Sequence, residues 1–318
     1  MTARIVVVGS ANTDFVLRMP QLPSAGETVL GNEFRLVQGG KGANQAVAAA
    51  RLGAQVTLVA RLGTDSFGKE ALAVYQNEGI DTSFIVQDDH AHSGVALIMV
   101  NERGENLIAV APGANGQLTP EDVMAARAVI EQANCVIVQL EIPLEAVEAA
   151  VHLARLSRVP VILNPAPARR LPSELLRSVD YLTPNETEAA ILAGEQGATA
   201  DMDSLVRLPS VLGVPRLVVT LGSRGACILE GGQPVQVPAF AVSPVDTTAC
   251  GDAFNGALAV ALARGESLIS AVRYANAAGA LAATRPGAQP SLPHRKEVED
   301  FMASSGPSPA DPAAGISN

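Results

Sequence analysis

The chain contains no tryptophan, and only 3% of its 318 residues are aromatic. Platforms on which nucleobases could stack are therefore missing. Positive charge is also short. Lys and Arg number 22 against 32 Asp and Glu, giving a net charge of −10 and a pI near 4.9. A basic footprint for nucleic acid or for an acidic membrane surface is absent, and neither is expected as a partner. No apolar run approaches the roughly 20 residues of a membrane span, and Met1-Thr2-Ala3-Arg4 leads straight into Ile5-Val6-Val7-Val8 with no signal-peptide pattern. The expected location is the cytoplasm. Cys135, Cys227 and Cys250 are odd in number, widely spaced and without a CxxC pair, so neither a disulfide framework nor a zinc site is indicated. His90, His92, His152 and His294 show no metal or triad spacing.

What the chain does have is apolar residues, 48% of the total, enough to bury a large core. Short β-branched runs alternate with helical patterns. The strand expectations are 5–8, 56–60, 135–139, 159–163, 181–183 and 217–220; the helix expectations are 42–52, 67–77, 120–132, 144–156, 185–192 and 202–212. Continuous apolar strands interleaved with helices predict a mostly parallel sheet covered on both faces, a three-layer α/β/α arrangement whose ligands sit beyond the carboxyl ends of the strands. After Leu221 the pattern changes to shorter strands at 226–229 and 235–237 and two long helices, 251–263 and 268–283. Two stretches, about 12–38 and 91–111, read instead as antiparallel hairpins making a small separate sheet. One domain over 1–302 with a disordered Pro- and Ser-rich tail at 303–318 follows.

The stretch that organises the chain is Asp246-Thr247-Thr248-Ala249-Cys250-Gly251-Asp252, a polar turn opening into an apolar helix. The amides of Ala249, Cys250, Gly251 and Asp252 can converge where the helix dipole is positive, which is an anion site. Gly251 is expected to permit the tight turn, and the carboxylate of Asp252 at the same corner could take a proton. Taken alone, Asp252 or Thr248 equally reads as a helix cap. A second glycine-rich turn, Gly39-Gly40-Lys41-Gly42-Ala43-Asn44, also feeds a helix. By contrast, Gly63 to Glu70 has P-loop spacing, but Glu70 replaces the hydroxyl that would meet magnesium, so a capped helix start is the better reading. No GxGxxG follows the first strand, which disfavours a dinucleotide cofactor.

The two glycine-rich turns together resemble the signature motifs of the ribokinase family, the phosphofructokinase-B group of carbohydrate kinases. The resemblance runs from Ile5 to about Pro293 and includes Gly9 to Asp14, Gln139 to Glu141, Asn164 to Pro167, Thr183 to Glu188, Thr220 to Gly222 and Thr284 to Pro290. It implies transfer of the ATP γ-phosphoryl to the 5-hydroxyl of ribose, with Asp252 as base and residues 249–252 as anion hole. Asp14 would hold vicinal hydroxyls; Asn12, Gly40, Lys41, Gly42, Ala43 and Asn44 would form the rim, and Glu141 would support Lys41. Asn185 and Glu188, one helical turn apart, would face hydrated Mg²⁺ and phosphates. Thr220, Leu221, Gly222, Ser223, Arg224 and Gly225 would lie under the nucleotide, with Asn276 beside the adenine. Asp246, Thr248, Ala282, Arg285, Gly287 and Ser291 match places that bind a monovalent cation, K⁺. The small sheet would be a lid and a homodimer contact. Individually, Asp14 and Asn12 also read as turn formers, Asn44 and Asn185 as helix caps and Glu141 as a solvated loop residue. Two other readings stand beside this one: a kinase for another pentose or a nucleoside, such as 2-deoxyribose, and a non-catalytic sugar sensor on the same fold.

Two electrostatic expectations follow. The helix terminus should hold Asp252 near or below an ordinary aspartate pKa of about 3.9, a weak base that suffices because phosphoryl transfer has a loose transition state. Cys250 stands where the family commonly has Ala or Gly, and a thiol at a helix N-terminus is expected to be acidified. Peroxide would then inactivate the enzyme and ATP would protect it, the alternative being an unreactive core thiol.

Overall fold

In strand β1, Arg4–Val8, four β-branched residues follow one another and all four are buried. The pleat sends Ile5 and Val7 into one apolar layer and Val6 and Val8 into another, one on each face of the sheet. That double burial defines a three-layer α/β/α fold in this computed structural model, which describes residues 2–194, 199, 202–231 and 233–305. The remaining strands are β2 Asn12–Arg18, β3 Glu33–Gly39, β4 Gln55–Gly63, β5 Ile85–Asp88, β6 Gly94–Val100, β7 Asn106–Ala111, β8 Cys135–Gln139, β9 Val161–Asn164, β10 Tyr181–Leu182, β11 Leu217–Thr220, β12 Ala226–Leu229 and β13 Val235–Val237. The helices are α1 Lys41–Arg51, α2 Ser66–Asn77, α3 Pro120–Ala125, α4 Arg127–Glu131, α5 Leu144–Leu156, α6 Ser173–Ser178, α7 Glu186–Ala193, α8 Met202–Leu212, α9 Cys250–Ala263, α10 Leu268–Ala283 and α11 Arg295–Ser304.

Among the described residues nine strands form the central sheet, in the order β13-β12-β11-β10-β9-β8-β1-β4-β5. Pairing is parallel from β11 to β5 and antiparallel only at the β11-β12-β13 edge. One face carries α1, α2, α9, α10 and α11, and the other α3 to α8. The small sheet, order β3-β2-β6-β7, contains both expected hairpins. They are joined by a parallel pairing of Asn12–Arg18 with Gly94–Val100 that the sequence did not announce.

Several boundaries differ from expectation. The single helix over 120–132 breaks between Ala125 and Arg127, and the short elements β5 and α6 were missed because they lack a full period of pattern. Ala303 and Ser304 belong to α11 rather than to a disordered tail, because the amphipathic turn from Arg295 packs Val298, Phe301 and Met302 on the core. The rest of that expected tail, from 306 on, lies outside the described residues. Asp65 caps α2, accepting from the amides of Gly68 and Ser93, so the P-loop-like stretch is a capped helix start. Among the described residues no helix is long and apolar enough to cross a membrane.

Candidate active site

Helix α1 begins at Lys41 because Gly40, at φ 86°, turns the chain in a conformation closed to most side chains; a Cβ there would press on Ala11 and the Asn12 amide. No side chain of its own caps this helix. Glu141, arriving from the end of β8, does so instead: its Oε2 accepts from the Lys41 amide at 3.0 Å and from the Ser10 hydroxyl at 2.6 Å, while its other oxygen stands 4.0 Å from Lys41 Nζ. Ser10 in turn accepts from the Gly42 amide. Ala43 is fully buried under this turn, and its amide donates to the Ser10 carbonyl.

Asp14 lies on β2 with its carboxylate against Gly39, where a Cβ would collide with it. Burial, reinforced by Glu141 and Asp252, pushes its pKa up to about 7 despite Lys41. Asn12 is fixed by Asn115, which donates to Asn12 Oδ1 at 2.7 Å and accepts from the Ala11 amide at 2.9 Å. Three carboxylates, Asp14, Glu141 and Asp252, thus share one ammonium, Lys41. Such surplus negative charge disfavours an anionic substrate and suits a neutral ligand rich in hydroxyl donors.

Helix α9 delivers the third carboxylate. Its cap residue, Ala249, sits in the left-handed region at φ 59°, so the tight turn falls one peptide pair earlier than expected. Gly251 does not make the turn; a Cβ there would meet nothing within 4 Å, and its missing side chain leaves open the approach to the first helical amides. The Cys250 amide makes a 3.3 Å bond back to the Thr247 carbonyl, and among the described residues the Gly251 and Asp252 amides have no backbone acceptor. Asp252 points the other way, toward α1, where Asn44 Nδ2 donates to Oδ2 and Gln45 Nε2 to Oδ1, each at 2.9 Å. Its pKa is raised to about 6, not lowered. Burial outweighs Lys41 and the two amides, a balance the sequence could not weigh. Cys250 is likewise corrected: burial, with Asp246 and Asp252 nearby, pushes its thiol up to about 12.

Cys250 and Gly251 open onto a cavity of about 700 Å³, which also meets Asn185, Thr220, Gly222, Ser223, Gly225 and Asn276. Its far wall is apolar, formed by Ala239, Phe240, Val242, Phe254 and Ala280 among others. Leu221 is buried in the core instead, and Arg224 pairs with Glu186 at the surface. Asn276 Nδ2 holds the carbonyls of Val237 and Pro238. Asn185 and Glu188 form a reciprocal capping box on α7, each accepting from the other's amide at 2.8 Å. Asn185 therefore caps, and one oxygen of Glu188 remains outside the box. Among the described residues no three His, Cys, Asp or Glu group as a metal cage; a carboxylate beside phosphates is the usual setting for Mg²⁺.

Asp246 ties two loops together, accepting from Thr248 through Oδ1 and from the Gly287 amide through Oδ2 at 2.9 Å. Ala282 is buried beside them. The Arg285 side chain turns to Glu297, and the Ser291 hydroxyl donates to the Ala288 carbonyl, so these two residues could reach a cation only through backbone oxygens or the hydroxyl's lone pairs.

Residues missed at sequence level are Ser10, Gln45, Asn115 and Asn255. Gln45 and Asn255 read as helix-interior polar residues, and only their complete burial marks them.

A model of the pfkB family of carbohydrate kinases matches residues 2–295. The chain is 42% identical over 305 residues to a ribokinase of Haemophilus influenzae, covering 95% of this chain and 99% of that one. It is 43% identical over 298 residues to a ribokinase of Bacillus subtilis, covering 94% and 99%. Among solved structures, an Arabidopsis thaliana ribokinase complexed with ribose and ATP superposes with a TM-score of 0.86 at 34% identity, over 95% of this chain and 99% of that one.

Proposed function

The chain belongs to the pfkB family of carbohydrate kinases, and from that premise we propose that it transfers the γ-phosphoryl group of ATP to the 5-hydroxyl of D-ribose in the cytoplasm. The observation that carries the reading is the position of Asp252. Its carboxylate is bonded by Asn44 and interacts with Asp14 and Lys41, while the adjoining residues Gly251 and Cys250 line the cavity of about 700 Å³. Sugar and nucleotide would meet across one helix turn.

The pocket built from Asp14, Asn12, Lys41, Asn44 and Glu141 binds the furanose hydroxyls. Asp14, whose pKa of about 7 leaves it part-ionised at neutral pH, accepts from the vicinal pair in its ionised form, so an analogue lacking one hydroxyl leaves a buried acceptor unpaired. Asp252 takes the O5 proton as the O5–Pγ bond forms and the bond from Pγ to the ADP oxygen breaks. A carboxylate of pKa about 6 is a better proton acceptor near neutrality than an ordinary aspartate. The amides at residues 249–252 stabilise charge on the moving phosphoryl group. The apolar wall takes the adenine, with Thr220, Gly222, Ser223 and Gly225 beneath the phosphates. Mg²⁺, carried in with ATP and reached through Glu188 and its surroundings, supplies charge neutralisation when bound. The loops joined by Asp246 would hold K⁺ and so stiffen the anion-binding turn.

The small sheet is the lid, and its outer face the dimer contact. By the strand register, Phe34, Leu36, Leu97 and Leu107 point to one side, and each is about half exposed. The deciding experiment is ADP formation by purified protein with ribose, 2-deoxyribose, fructose and adenosine in parallel, with Mg²⁺ and K⁺ each omitted in turn. Ribose should give the highest kcat/KM. No sugar-dependent ADP overturns the reading, and a preference for deoxyribose or adenosine overturns the substrate.

A further inference from the structure

Both oxygens of Asp252 are engaged by amide nitrogens, and the two differ in what stands behind them. Asn44 is a rim residue of the sugar pocket. Gln45 is wholly buried and leads into a continuous polar chain through the protein interior. Its Nε2 donates to Asp252 Oδ1 at 2.9 Å and to Asn164 Oδ1, at the end of β9, at 3.1 Å. Asn164 Nδ2 donates to the Thr183 carbonyl at 3.2 Å. The Thr183 hydroxyl donates to Asn255 Oδ1 at 2.6 Å, and Asn255 Nδ2 to the Gly251 carbonyl at 2.8 Å. The chain therefore begins at the Asp252 carboxylate and closes on the residue before it. Its direction is fixed. Backbone carbonyls of Thr183 and Gly251 can only accept, so Asn164 and Asn255 must turn their nitrogens to them and their oxygens outward. Gln45, facing the Asn164 oxygen and a carboxylate, must present its two N–H groups, and its Oε1 is left without a partner in the interior. A buried acceptor left unpaired is costly, which marks the orientation as one the fold maintains for the sake of the donors.

We propose that Gln45, backed by Asn164, Thr183 and Asn255, is a positioning unit for the transfer: it aims the Asp252 carboxylate at the sugar hydroxyl and holds the first turn of α9, with its phosphoryl-binding amides, in fixed register to it. None of these four need touch substrate. The proposal rests on the kinase reading above, and adds that base and anion hole are set by one shared interior chain rather than independently. Besides these amides, the charged groups facing Asp252 are Lys41 from α1, Glu141 after β8, Asp14 from β2 and Glu188 from α7. All stay in place in the variants below. Removing the Gln45 donor withdraws a hydrogen bond that favours the ionised carboxylate, so the acid limb of activity must move to higher pH.

The test is the pH profile of kcat and kcat/KM for Gln45→Met, similar in volume and without donors, together with the pair Thr183→Val and Thr183→Ser. Expected for Gln45→Met is a kcat about 10- to 100-fold lower, a ribose KM within about threefold, and an acid limb displaced upward by about half a pH unit or more. Thr183→Val, which strips Asn255 of its donor, should lower kcat about tenfold, with Thr183→Ser several-fold faster than it because the hydroxyl is kept. The threonine pair decides the matter should Gln45→Met fail to fold in a thermal melt. Gln45→Met with kcat within twofold and an unmoved acid limb overturns the proposal, as does Thr183→Ser as slow as Thr183→Val. Wild-type protein that makes no ADP from ribose defeats the kinase reading instead, so the two failures are distinguishable.

Discussion

Asp252 has two engaged oxygens and a pKa lifted to about 6 by burial. Asp252→Asn keeps the shape and both neighbouring amides but removes the proton acceptor. Turnover should fall about 10²- to 10⁴-fold with the ribose KM little changed, measured by steady-state ADP release. Near wild-type turnover would strip Asp252 of its role. Two residues away, Cys250 carries the opposite lesson. With its thiol held up at about 12 it is protonated at neutral pH, so treatment with iodoacetamide should leave activity intact over hours, and Cys250→Ala should respond no differently. Rapid ATP-protectable loss of activity would show the thiol to be reactive after all.

At the scale of elements, the small sheet makes the sharpest statement. Its outer face presents Phe34, Leu36, Leu97 and Leu107 on neighbouring strands. A charge on that face at the edge strand β3, Leu36→Glu, should shift a dimer to monomer in light scattering without unfolding either sheet; an unchanged mass would place any dimer contact elsewhere. The legibility of elements followed their length and local pattern. Strands such as β1 and β8 were visible because four of the five residues in each are apolar, and the turns leading into α1 and α9 because their composition is local. The parallel pairing of β2 with β6 joins segments some 80 residues apart and leaves no trace in either. The glycine expected to shape the α9 turn, Gly251, lies two residues past the answer: Ala249 takes the left-handed conformation. Likewise, Asn164 and Thr183 stood in recognisable stretches, yet their partners Gln45 and Asn255 were concealed, because a buried amide on a helix reads the same in sequence as an exposed one.

For the whole molecule the site sets a pH signature. Asp14 and Asp252 have pKa values near 7 and 6 when folded, against about 3.8 ordinarily. The folded chain therefore holds protons that the unfolded chain releases, and their contribution to stability falls as pH rises from about 4 to 7. Asp65, Asp246 and Glu297 are shifted downward and lose their contributions only in stronger acid, and Lys41 is shifted upward, outside this window. Ligand-free protein should melt at a higher temperature near pH 5.5 than near pH 8. Asp14→Asn should flatten that slope and raise the melting point at pH 8 while weakening ribose binding by more than about tenfold. A wild-type melting point that climbs with pH across the window contradicts this assignment.

The excess of carboxylates over ammonium groups around Lys41 has one more result. The cleft is filled by an uncharged guest and must discharge one that has just acquired a dianion, and that newcomer finds itself among acids of its own sign. Repulsion that is silent on the way in would thus act on the way out, and should speed clearance of the cleft for the next round.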